Sequence, residues 1–175
     1  MKPQFLGDSY DIVKRFWAER LVGIAPLFAH PKFVPRNIRK EYEKIVTIPV
    51  LDSRAVLREP FGLFLDPDTG IPLPTTSAQM ANRSHAPVSF IAYEFDQLKP
   101  KYLICFDQSH DRRCGLTKKQ QRHSKIAALK KLEIASFYYV SHASFLFAAR
   151  GDADLKSIRR QLTEVGIPES RLQEA

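Results

Sequence analysis

Glycine is scarce and scattered in this sequence. Its seven glycines, Gly7, Gly23, Gly62, Gly70, Gly115, Gly151 and Gly166, never stand closer than eight positions apart. That spacing excludes the Gly-x-Gly-x-x-Gly dinucleotide fingerprint and the P-loop, which cluster glycines to bring backbone amides onto phosphates. Cysteine is scarcer still. Cys105 and Cys114 alone cannot build a four-thiolate zinc site. A chain of 175 residues also buries enough core to need no disulfide staple. No Gly-x-Ser-x-Gly elbow is present, so a serine hydrolase of that kind is excluded. Long apolar runs are missing too. The longest uncharged stretch, residues 134–149, spans sixteen positions and carries Ser136, Ser141, His142 and Ser144. It falls short of the ~20 residues that cross a bilayer and reads as buried strand. The opening MKPQFLGDSYD lacks an apolar signal core, which implies a reducing, cytoplasmic home and no membrane association.

What is present is an ordinary globular composition, 44% hydrophobic and 26% charged, of a size that implies one domain over 1–175. Basic residues outnumber acids 27 to 19, giving a net charge of +8. Such a surplus favours a polyanion, either nucleic acid or an acidic membrane surface; the plainer reading is that it keeps the protein soluble.

Asp8 or Ser9 caps an expected first helix striped by Ile12, Val13, Phe16 and Trp17. Residues 20–28 read as a buried strand ending near Pro26, and a short charged helix is expected over 37–45. Apolar strands are expected over 61–65 and 102–106, with a short helix over 92–98 between them. Residues 71–87, with Pro72, Pro74 and Pro87, read as a loop. Thr117 opens a helix through Lys131, followed by strands over 135–140 and 144–149 and a terminal helix over 152–165. Alternating strands and helices imply an α/β fold with a mostly parallel sheet flanked by helices, closed at one edge by a C-terminal antiparallel hairpin.

In such sheets ligands gather at the carboxyl ends of strands. Two strands end there in acids: Asp66 and Asp68 after the first, Asp107 after the second. Converging on one rim, these oxygens would suit Mg²⁺ or Mn²⁺, which activates water against a phosphodiester. The plainer reading is that Asp-Pro-Asp-Thr-Gly forms a turn and that the acids cap loops. His142, between the last two strands, is a candidate proton relay or a hydrogen-bonded core residue, and His110 is a second candidate relay. Asp8 and Asp11 open the first helix. The haloacid-dehalogenase pattern fails, because Gly70 stands where Thr or Val is required.

The strongest signal is basic. Arg112, Arg113, Lys118, Lys119, Arg122, Lys125, Lys130 and Lys131 crowd residues 110–131, opposed only by Asp111. On a helix Lys118, Arg122 and Lys125 share one face, a stripe suited to a phosphate backbone. The plainer reading is a solvated face. Cys114, between this stripe's arginines and its lysines, reads as a bystander thiol.

Gly7-Asp8-Ser9-Tyr10-Asp11-Ile12-Val13-Lys14-Arg15, a strand, and then Asp66-Pro67-Asp68-Thr69-Gly70 resemble a group of uncharacterised bacterial proteins with a DPD-[NT]-G element. The same residues are distantly similar to the ribosomal-RNA adenine-N6 methyltransferases, which implies a Rossmann-like sheet. Asp68 replaces that family's Pro and Thr69 its aromatic residue, and the glycine-rich S-adenosylmethionine loop is missing. The likeness therefore speaks for the scaffold and against methyl transfer. The leading expectation is a metal-dependent phosphodiesterase with Asp66, Asp68 and Asp107 on the ion and Arg112, Arg113, Lys118, Lys119, Arg122 and Lys125 on phosphates. The alternative is a non-catalytic nucleic-acid-binding module on a degenerate methyltransferase-like scaffold.

Overall fold

Asp8 adopts extended backbone, and its Oδ1 accepts the amides of Tyr10 (2.9 Å) and Asp11 (3.2 Å), capping α1 (Ser9–Leu21). The computed structural model describes residues 3–51, 60–74, 82 and 84–174. The inward stripe of α1 is Asp11, Lys14, Trp17 and Leu21, whereas Ile12 is 69% exposed. Two of these four inward positions are charged; of the apolar stripe expected from the sequence, Trp17 is buried, Val13 and Phe16 pack half-buried against the core, and Ile12 alone turns outward. The strand expected over 20–28 also starts later. Leu21 still belongs to the helix, a turn follows, and β1 (Leu27–Ala29) begins only past Pro26, whose carbonyl accepts from the Gly62 amide at 2.8 Å.

After a 3-10 turn at Arg36–Ile38 come α2 (Arg39–Val46), β2 (Gly62–Leu65), α3 (Val88–Leu98) and β3 (Tyr102–Phe106). Next come α4 (Lys118–Lys130), β4 (Ala135–Tyr139), β5 (Phe145–Ala149), α5 (Asp152–Glu164) and a two-residue β6 (Leu172–Gln173). Thr117 and Gln120 close a capping box at the start of α4, satisfying two otherwise orphan amides. Part of the loop expected over 71–87, residues 75–81 and 83, lies outside the described residues.

The six strands form one sheet in the order β1-β2-β3-β5-β4-β6. It is mixed rather than mostly parallel. β1, β2 and β3 pair in parallel, while β5 is antiparallel to β3 and β4, and β6 is antiparallel to β4. The β4–β5 hairpin is not the margin of the sheet, because β5 sits inside it against β3 and β6 lies outermost.

Period-two alternation builds the two cores. Phe64, Tyr102, Ile104, Phe106, Phe137, Phe145 and Phe147 point to the face covered by α1, α2 and α5. Leu63, Leu65, Leu103, Cys105, Tyr138, Leu146 and Ala148 point to the face covered by α3 and α4. The result is a three-layer α/β/α sandwich, the architecture that hides a sheet apolar on both sides. No helix among the described residues is long and apolar enough to cross a membrane.

Candidate functional site

The register of the central pair decides what the strand-end acids can do. Leu65 lies opposite Cys105 in the parallel β2–β3 ladder, so Asp66 is level with Phe106 and Asp107 stands one residue further on. One residue along a strand reverses the side chain. Asp66 therefore turns toward the layer of α1, and Asp107 toward the layer of α4. The expected convergence of Asp66, Asp68 and Asp107 is corrected by this single step.

Each acid meets a lysine from the helix over its own face. Lys14 of α1 places its Nζ 2.9 Å from Asp66 Oδ2 and 2.8 Å from Asp11 Oδ1, and all three residues are buried. Asp11 Oδ2 also accepts the Gly7 amide at 2.7 Å. Burial raises the Asp11 carboxyl above its ordinary value despite the pull of Lys14. Burial works against the Lys14 ammonium, but Asp66 and Asp11 more than offset it and raise its pKa.

On the other face Asp107 is 4% exposed and saturated. Its Oδ2 accepts from Lys125 Nζ at 2.7 Å and from the Tyr138 hydroxyl at 2.6 Å. Its Oδ1 accepts the amides of Ile71 (3.0 Å) and Ser109 (3.1 Å). The Ser109 hydroxyl stands 2.6 Å from Oδ1 and 2.7 Å from Lys125 Nζ. Burial and the Asp107 charge push the Tyr138 phenol well above its ordinary value. Gly70 passes so close that a Cβ there would lie 2.2 Å from Asp107 Oδ1, and its φ of +130° also demands glycine. This network stitches the Asp-Pro-Asp-Thr-Gly turn to the end of β3. It leaves Asp107 no open coordination position.

The open space lies on the α1 side. A cleft of about 190 Å³ at the strand ends is lined by Asp66, Asp68, Asp8 and Lys14 and walled by the rings of Phe5, Tyr10 and Phe106. Asp66 and Asp68 thus share one cleft, without Asp107. His142 is exposed beside it, its ring 5.6 Å from that of Tyr10, and its carbonyl accepts from Gln108 Nε2. It is not a core histidine. Among the described residues no group of three or more His, Cys, Asp or Glu is arranged to hold a metal ion.

The basic segment divides in two. Arg112, Arg113, Lys118 and Lys119 are exposed, Arg113 with a loose contact to Asp111 at 3.6 Å. Arg122 is half-buried and donates to Gln173 Oε1 at 3.0 Å. Lys125 is 1% exposed and held by Asp107, so it is an anchor of the fold and not a phosphate contact. Cys114 is exposed, with its Sγ 3.3 Å from Gln121 Nε2. Sequence reasoning missed Lys14, Tyr138 and Ser109. The Asp11–Lys14 spacing of three on a helix was the available signal.

Comparison with known proteins leaves the site to speak for itself: no family model, curated protein or solved structure matches this chain.

Proposed function

We propose that this is a cytoplasmic nucleic-acid-binding protein on a Rossmann-like scaffold, gripping phosphates with Arg112, Arg113, Lys118 and Lys119. One observation carries the reading. The N-terminal end of a helix is already positive and is normally furnished with acids. The first turn of α4 contains no acid and begins with two exposed lysines, behind a loop with two exposed arginines. By contrast, α5 carries Asp152 and Asp154 in its first turn. Stacking like charge on the helix dipole costs stability, and a polyanion offsets that cost.

Binding of this kind needs no metal. In fluorescence anisotropy with labelled single-stranded RNA and duplex DNA in EDTA, wild type binds. Replacing all four cations with alanine weakens binding at least tenfold at ~0.1 M salt. Unchanged affinity in the fourfold variant would remove the proposal.

A second reading rests on Asp66 and Asp68 sharing the cleft: a phosphodiesterase using Mg²⁺ or Mn²⁺, with Asp107 outside the ligand set. It expects Mn²⁺-dependent cleavage of the bound strand that Asp68→Asn abolishes. Intact product under every metal condition leaves the binding module standing alone.

A further inference from the structure

A second cavity opens at the other end of the sheet. β4 runs in the same direction as β3, so its first residues lie at the end opposite the strand-end cleft. β6 covers β4 only at Tyr138 and Tyr139, and among the described residues no strand flanks the first half of β4 on that side. The gap between the last turn of α4 and the first turns of α5 is a cavity of about 500 Å³. That volume lies within the range of small-molecule sites.

Its lining contains groups that the fold itself leaves unserved. Ser136 lines the cavity at 8% exposure, and its Oγ has no hydrogen-bond partner among the described residues. A buried hydroxyl without a partner carries a desolvation penalty that a ligand's polar group relieves. Arg159 is occupied by Glu169 and Glu174, and Arg150 by Asp96 and the Leu132 carbonyl. Once those are set aside, Lys130, Lys156, Glu133 and Asp152 remain, and none makes an ion pair with a described residue. Glu133 further holds a left-handed conformation, φ +57°, at a helix stop where glycine is the unstrained choice. Thr47 and Lys99 hold the same conformation at the stops of α2 and α3, so the strain is shared by three helix ends. Half-buried Leu155 supplies apolar wall.

Two cations, two anions, a hydroxyl and an apolar wall do not select a polyanion, since its charge gains nothing from a balanced lining. We propose that this cavity binds a small zwitterion of dipeptide size. Its carboxylate lies on Lys130 and Lys156, its ammonium on Glu133 and Asp152, its peptide group on the Ser136 hydroxyl, and an apolar side chain against Leu155. The site is separate from the nucleic-acid surface and does not depend on it.

Calorimetry and thermal shift with leucyl-leucine, and with N-acetyl-leucyl-leucine amide as its uncharged counterpart, test the assignment. The zwitterion binds saturably and raises Tm, and the capped form binds at least tenfold more weakly. Glu133→Gly relieves the backbone strain, so Tm of the free protein stays level or rises while affinity for leucyl-leucine drops at least tenfold. Ser136→Ala likewise folds and binds more weakly. Equal binding of the capped form overturns the proposal. So does an undiminished affinity in Glu133→Gly, or the absence of any heat or Tm shift with leucyl-leucine.

Discussion

Lys125 illustrates how one residue can carry a role opposite to its sequence context. It is one of eight basic residues in the segment 110–131, yet its ammonium is buried against Asp107 and Ser109. Removing one partner of such a pair leaves an uncompensated charge in the core, which costs about 3–5 kcal/mol. Lys125→Met is therefore expected to lower stability by that order in urea unfolding. Lys125→Met with Asp107→Leu should recover part of the loss, because no lone charge remains. A loss no larger than that of a surface lysine would contradict the buried-pair account. Gly70→Ala should be similarly damaging, since its methyl would strike Asp107. The distinction between Lys125 and its exposed neighbours was not legible in the sequence. Helical spacing shows which side chains share a face, and only the strand-end partner decides whether that face points inward.

The elements themselves were more legible than their arrangement. β2, β3, β5, α4 and α5 fall close to the expected positions because apolar runs, turn residues and caps agree there. β6 escaped because a two-residue strand has no period of its own. The sheet direction escaped because it depends on which strand β5 joins, a long-range choice that local pattern does not encode. The strand-end acids were found as residues, but their separation onto two faces required the β2–β3 register. At this scale α4 makes a prediction of opposite signs. Lys118→Glu or Lys119→Glu should stabilise the helix by about 0.3–1 kcal/mol through the dipole while weakening oligonucleotide binding. Urea unfolding beside anisotropy on the same samples checks both signs. A charge reversal that destabilises the fold and spares binding would contradict the role given to this helix end.

The whole molecule carries its buried phenols and Lys14 as a pH liability. Burial raises Tyr42, Tyr102 and Tyr138 above their ordinary 10.0, and Lys14 is raised above 10.5 by Asp66 and Asp11 against the opposing effect of burial. The folded state thus keeps protons that the unfolded chain releases. Stability is complete below these ordinary values and falls as pH rises past them, by about 1.4 kcal/mol per pH unit for each group involved. Urea midpoints measured from about pH 8 to pH 11 should fall steeply near the top of that range. A flat profile would mean that these groups ionise in place.

The central claim concerns the exposed charge beside the capped start of α4, and salt titration of oligonucleotide affinity tests it most directly. Four phosphate contacts predict that log affinity for duplex DNA falls linearly with log salt, with a slope of about −3.6. EDTA should leave the line unchanged, and the Arg112, Arg113, Lys118 and Lys119 alanine variant should flatten it toward zero. A slope that the fourfold variant retains, or binding that disappears in EDTA, would place the nucleic acid elsewhere on the molecule.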